Sequence, residues 1–145
     1  DNEPMLDIKE ADDLIKFYTS PEPRIQHRWI LVRRCDGMEI GTCGFHFWDV
    51  KQNKVDIGYD MKRVFWGNGY MQEAITAIIR FAATNMDINS IDAHIYYRNP
   101  KSIALAQRLG FAFNGETEMC LFRGQEYLHY IYTRKIRKGD AIYAQ

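Results

Sequence analysis

The sequence predicts an α/β fold, and three stretches carry that prediction. Within VDIGYDMKRVFWGNGYMQEAITAIIRF (Val55 to Phe81), Val55, Ile57 and Tyr59 alternate with Asp56, Gly58 and Asp60 at the period of a half-buried strand. Trp66-Gly67-Asn68-Gly69 breaks the alternation, and from Met71 onward the apolar residues Met71, Ala74, Ile75, Ile78, Phe81 and Ala82 recur at helical spacing. Upstream, strand candidates at Trp29 to Val32, Glu39 to Trp48 and Lys54 to Met61 follow one another by short turns, which makes an antiparallel meander. Downstream, Phe111 to Leu121 and Glu126 to Thr133 alternate around Arg123-Gly124 as a closing hairpin.

Taken in order, Asp1 to Glu10 is acidic and weakly patterned, and Leu14, Ile15, Phe17 and Tyr18 offer one short helical face that Ser20-Pro21-Glu22-Pro23 stops. Asp36-Gly37 is a two-residue hairpin signal between the first two strands, and Gln52-Asn53 turns the chain into the third. The central helix is expected to end near Asn85. Ser90 to Tyr96 then sets Ile91, Ala93 and Ile95 against Asp92 and His94 as a further strand. The resulting strand-helix-strand unit is a right-handed crossover with its two strands parallel, or starting parallel. Asn99-Pro100 opens a second helix with apolar Ile103, Leu105, Ala106 and Leu109, and Gly110 ends it. The charged tail from Arg134 to Gln145 is expected to be peripheral.

With 145 residues the chain reads as one domain, large enough to bury a core. Its 19 basic and 19 acidic side chains cancel, so no overall field draws it to nucleic acid or an anionic membrane, and any anion must be bound locally. Tyrosines and phenylalanines lie at strand-compatible positions and read as packing, not as a stacking platform for bases. Cys35, Cys43 and Cys120 lack C-x-x-C spacing and sit among apolar neighbours, so buried free thiols in a reducing compartment are expected. No apolar run reaches membrane-span length and the N-terminus is acidic, which together suggest a cytoplasmic protein. There is no G-x-x-x-x-G-K-[ST] phosphate loop, no full G-x-G-x-x-G motif after a strand, and no H-x-x-x-H spacing to suggest a metal; none is expected.

What remains is the glycine turn where a strand feeds a helix. Glycines allow backbone N–H groups to approach a ligand closely, and the first-turn donors with the helix dipole favour negative charge there. The same Gly-x-Gly sequence also serves as a plain connection.

Three motifs, IGYDM (Ile57 to Met61), WGNGYMQEA (Trp66 to Ala74) and NPKSIALAQRLGF (Asn99 to Phe111), stand in an order and spacing that resembles the GNAT acetyltransferase superfamily. The branch that includes the ribosomal-protein N-terminal alanine acetyltransferases is the most similar, and Glu39-Ile40-Gly41-Thr42 resembles that branch's hairpin. The resemblance covers about Arg28 to Thr133. It implies a mixed, mainly antiparallel twisted sheet flanked by helices, with acetyl-CoA wedged where two central parallel strands splay. Such proteins usually begin with a further strand and helix, for which the stretch before Trp29 is short, so part of the acceptor-binding wall is expected to be reduced. In the family's Q/R-x-x-G-x-G/A loop the defined positions fall on Trp66, Gly69 and Met71, so the central glycine alone is kept.

The resemblance assigns roles. Backbone N–H groups of Gly67, Asn68, Gly69, Tyr70 and Met71 beside Trp66 would cradle the pyrophosphate, and the free strand edge around Met61 would pair with the pantetheine amides. Asn99 and Ser102 match positions whose side chains reach the cofactor arm; read from the residues alone, they are a helix cap and an exposed serine. The acceptor is a primary amine, mostly protonated at neutral pH, so a base is needed. Asp56 matches a position that often carries a glutamate base, although it also reads as a solvent-facing strand residue. His46, His94, Glu73 and Glu118 are alternative bases. The tyrosine that often protonates the leaving thiolate is replaced by Ala106, leaving Ser102, Tyr96, Tyr97 or water for that task. Two functions are therefore weighed: an N-acetyltransferase acting by direct attack in a ternary complex, on an acceptor that includes a protein or peptide N-terminus among its candidates, and an acyl-CoA-binding regulatory module without efficient chemistry. A missing first strand would leave a sheet edge for a second copy to cover as a homodimer.

Overall fold

The computed structural model describes Lys9 and residues 26–140; the short helix expected around Leu14 to Tyr18 and the last residues of the tail lie outside them. Strands β1 (His27–Val32), β2 (Glu39–Asp49) and β3 (Lys54–Met61) form the expected meander. A 3-10 turn at Arg63–Phe65 then leads to helix α1 (Tyr70–Asn85), β4 (Ser90–Tyr96), helix α2 (Pro100–Arg108), β5 (Ala112–Phe122) and β6 (Gln125–Lys135). The strands make one sheet in the order β1-β2-β3-β4-β6-β5, in which β3 and β4 are the parallel pair and every other neighbour is antiparallel.

The period switch inside Val55 to Phe81 sets the core. On β3, Val55 and Ile57 are buried on one face, and Ile91, Ala93 and Ile95 of β4 share that face through the parallel register. Against them α1 lays Met71, Ile75, Ile78, Ile79 and Ala82, all buried and spaced at one stripe of a helix. Each large aliphatic side chain buried there contributes about 1.5 to 3 kcal/mol. Trp29 extends the layer by meeting Phe45 and Phe81 edge-on, at centroid separations of 5.9 and 5.3 Å.

Several local readings need correction. Asp36-Gly37 does not form a two-residue hairpin: β1 ends at Val32 and β2 starts at Glu39, because the Arg33 N–H reaches the Met38 carbonyl across a longer loop that the Arg33–Asp36 ion pair holds closed. Of the three thiols, Cys43 is buried and desolvation pushes its pKa up to about 11, Cys120 is half-buried, and Cys35, in that loop, is exposed. The closing hairpin forms, but β6 inserts between β4 and β5 and leaves β5 at the edge of the sheet, largely exposed. Nor is the tail peripheral at its start. Arg134 donates to the Leu109 carbonyl at 2.8 Å and pairs with Asp140 at 2.7 Å, pinning the end of α2 to the chain beyond β6.

Candidate active site

The parallel ladder between β3 and β4 runs from Lys54↔Ser90 to Ile57↔Ala93 and stops there. Beyond it β3 stays paired to β2 as far as Met61, and β4 stays paired to β6 as far as Tyr96, so the sheet opens between two strands that each keep their other neighbour. Lys62 N–H donates to the Ile40 carbonyl, which assigns the even-numbered backbone groups of β3 to β2. By strand alternation the groups of Tyr59 and Met61 face the opening. Met61 itself differs from the free edge expected: its side chain is buried and its carbonyl accepts the Trp66 indole N–H at 2.8 Å. That bond anchors the loop that follows to the mouth of the opening.

The loop has the form an anion needs. Gly67 and Gly69 adopt φ of +82° and +78°, left-handed values that favour glycine, and a Cβ on either would meet nothing within 4 Å. Gly69 is the N-cap of α1 and offers no side chain to cap it, so the first-turn N–H groups at Tyr70 and Met71 point out of its end. Asn68 turns its amide inward, donating to the Phe65 carbonyl at 3.1 Å, and stiffens the loop. Trp66 is 47% exposed and carries two cations over its ring, the Arg63 guanidinium at 5.5 Å and the Lys101 ammonium at 5.2 Å. These two cations, which motif reading passed over, place positive charge beside the start of α1.

Asp56 lies on the sheet face opposite α1. It is aligned with His46 across β2 and with Asp92 across β4, while His94 Nε2 stands 3.3 Å from its carboxylate. The other ring nitrogen of His94, Nδ1, lies 2.6 Å from Glu118, which reaches over β6 from β5. The hydrogen bond to Asp56, reinforced by the charge of both carboxylates, raises the His94 pKa above the ordinary histidine value. His46 shifts the other way because burial disfavours its charged form. Arg28 caps this corner by donating to Thr42 Oγ1 at 2.7 Å. Gly58 is glycine because the tips of His46 and Arg28 lie over it: an added Cβ would stand 2.8 Å from His46 Cε1 and 3.1 Å from an Arg28 nitrogen. Both obstacles are ends of flexible side chains. Gly58→Ala should therefore leave the melting temperature within about 4 °C of wild type while displacing His46, a change visible in the His46 imidazole resonances.

On the other face, Tyr59 and Ser102 share a 2.5 Å hydrogen bond between β3 and α2. Ser102 is thus half-buried and engaged, not exposed. Asn99 uses its side-chain oxygen to cap α2, accepting from the Ser102 N–H at 3.2 Å, the helix-cap role its residue type suggests. Ala106 is buried in the core and its position offers no proton donor. Burial raises the Tyr59 pKa, so the phenol keeps its proton through the physiological range. Tyr59 escaped sequence reading because it looked like any apolar residue of the strand. Glu73, on the first turn of α1, is exposed and stands apart from the Asp56 cluster. Tyr96 and Tyr97 pack on each other at 5.3 Å, with Tyr96 also against Tyr127. Among the described residues one group has metal-ligand proximity, Asp56, Asp92 and His94, with one donor atom each within 4.8 Å. Each member already has a partner: Asp92 holds Lys54 at 2.7 Å and accepts from Thr133, and His94 bridges Asp56 and Glu118.

The sheet thus combines a split parallel pair, a glycine loop at the start of α1 beside one mouth and a carboxylate beside the ladder's end. A family model described as an acetyltransferase (GNAT) domain matches residues 3–112. The chain belongs to the GNAT acetyltransferase family. It is 34% identical over 114 residues to an uncharacterized N-acetyltransferase, p20, of Bacillus licheniformis, a match covering 77% of this chain and 64% of that protein. A putative ribosomal N-acetyltransferase, YdaF, of Bacillus subtilis is 29% identical over 87 residues, 60% of this chain and 48% of that one. In three dimensions the chain superimposes on the spermidine N-acetyltransferase of Vibrio cholerae in complex with CoA and spermine with a TM-score of 0.81 at 16% identity, covering 93% of this chain and 79% of that one. The mixed sheet flanked by helices is that fold. No helix among the described residues is long and apolar enough to cross a membrane.

Proposed function

We propose that this chain transfers acetyl from acetyl-CoA to a primary amine by direct attack in a ternary complex. The observation that carries the reading is the end of the β3–β4 ladder at Ile57 and Ala93, because it opens the sheet between the glycine loop on one side and Asp56 on the other. In this reading the N–H groups from Gly67 to Met71 hold the pyrophosphate, with Trp66 and its two cations at the rim, and the backbone of Tyr59 with the N–H of Met61 receives the pantetheine amides. Asp56 takes the proton that keeps the amine from attacking. Positioning of the two reactants supplies much of the rate. The binding-only alternative gains no observation of its own.

Tyr59 fills the place that Ala106 leaves vacant. Its protonated phenol, tied to Ser102, stands on the strand at the opening, where the thiolate departs. Because a thiol has a pKa near 8.5, the donor helps without being indispensable. Tyr59→Phe should lower kcat about tenfold at neutral pH, with the acetyl-CoA dissociation constant within twofold of wild type; an unchanged kcat would remove Tyr59 from the reaction.

The test of the whole reading is calorimetric titration with acetyl-CoA followed by thiol release in the presence of spermidine, spermine, a peptide with N-terminal alanine, and free amino acids. The polyamines are chosen from the fold neighbour and the peptide from the ribosomal relative. Binding with release for one class establishes the transferase and its acceptor. Absence of binding overturns the cofactor assignment.

A further inference from the structure

Acetylation of an ammonium leaves one proton over. The balance is R–NH3+ + acetyl-S-CoA → R–NH-acetyl + CoA-SH + H+: the nitrogen sheds two protons, the N–C bond forms as the C–S bond breaks, the sulfur takes one proton, and the other must reach solvent. Asp56 is largely buried, its side chain 19% exposed, so an accepted proton needs a way out.

We propose, building on the reading of Asp56 as the residue that meets the amine, that Asp56, His94 and Glu118 form one path that carries this surplus proton to water, with His94 as the relay. The geometry is continuous: His94 Nε2 is 3.3 Å from Asp56, His94 Nδ1 is 2.6 Å from Glu118, and Glu118 is half exposed. Three strands contribute, and Glu118 crosses a fourth to complete the line. The cycle starts with neutral His94, its Nδ1–H on Glu118 and its Nε2 lone pair toward Asp56. Asp56 accepts the ammonium proton and passes it to Nε2, forming imidazolium. The Nδ1 proton then leaves through Glu118 to water, and the remaining Nε2 proton returns to Nδ1 by tautomer exchange through solvent. No group is left changed. Two carboxylates beside one imidazole make it a stronger proton acceptor than a free histidine, which eases removal of a proton from an amine. The other ionisable groups around the ring are His46 from β2 and Asp92 from β4, the latter neutralised by Lys54; from β6, Ile131 faces it in register, with His129 and Thr133 to either side.

The sign of the pH dependence follows. His94 must be neutral to accept a proton, and its pKa is raised, so activity is present above that raised value and lost as pH falls through it. The acidic limb of kcat/KM should therefore lie above the ordinary histidine value of about 6.5, far from the carboxylate range. Glu118→Gln should move the limb to lower pH and reduce kcat. His94→Gln should remove the limb and lower kcat at least tenfold, with acetyl-CoA affinity and circular dichroism unchanged. In parallel, NMR titration of the His94 imidazole in the full chain should show the raised pKa in wild type and a drop in Glu118→Gln. Rates are measured with spermidine and with the alanyl peptide. Turnover that survives in His94→Gln with an unmoved acidic limb, or a His94 resonance titrating at or below the ordinary value, overturns the relay while leaving the transferase reading in place. Wild-type chain without turnover on any amine of the panel overturns the transferase reading and the relay with it.

Discussion

Asp56→Asn should lower kcat about a hundredfold at pH 7, some 2.7 kcal/mol of transition-state stabilisation, while acetyl-CoA binds within twofold of its wild-type affinity. Asparagine keeps the size and the polar contact to His94 but cannot take a proton. At pH 7 nearly all of a primary amine is protonated, so a site without a base waits for the rare free amine. Raising the pH supplies free amine directly, and the deficit should shrink by close to tenfold per unit as the pH approaches the amine's own pKa. Thiol release against pH for the two proteins checks both the size of the deficit and its convergence. A constant ratio at all pH values would mean that Asp56 organises the site without handling the proton, and an unchanged kcat would return it to the status of a solvent-facing strand residue.

Gly44→Ala should cost about 3 kcal/mol and lower the melting temperature by roughly 10 °C, measured by calorimetry. A Cβ at Gly44 would stand 2.1 Å from the His27 carbonyl oxygen and 2.8 Å from the Arg28 Cα. These are backbone atoms of β1, which no rotamer change can move aside. The collision is relieved when β1 shifts as a whole, and that shift disturbs the Arg28↔Gly44 alignment and the grip of Arg28 on Thr42. Gly58→Ala is the internal control, since there the obstacles are side-chain tips and the strand can stay in place. Equal melting temperatures for Gly44→Ala and wild type would show that β1 is free to move.

Much of this architecture could be read from residue order because its signals are local. Val55, Ile57 and Tyr59 alternate, Met71 to Ala82 do not, and the stretch between them closes on Trp66-Gly67-Asn68-Gly69; period and glycines mark strand, loop and helix. Asn99-Pro100 announces the start of α2 through a cap and a preset φ. The glycine loop from Trp66 to Gly69 is marked by the same local signals. Features made by residues distant in the chain stayed hidden. Nothing local tells that β6 slips between β4 and β5, and without that insertion Glu118 has no reason to meet His94. Lys54 and Asp92 are each unremarkable on their own strands; parallel register makes them a pair. Tyr59 reads as one more apolar position of an alternating strand, and only the approach of α2 gives its hydroxyl a partner. Cys35 misled because its apolar neighbours, Leu31 and Val32, belong to the strand before it, while the residue itself sits in the exposed loop.

The short parallel ladder has a mechanical meaning as well. β1, β2 and β3 are bound to one another along most of their length, as are β4, β6 and β5, whereas among the described residues the strand pairing between the two groups is the run from Lys54–Ile57 against Ser90–Ala93. The molecule is in effect two stiff plates riveted at one end, with α1 packed across the joint. A force that prises the plates apart meets its least resistance along the line where substrates are read to enter, so the weak axis of the protein and its working axis coincide.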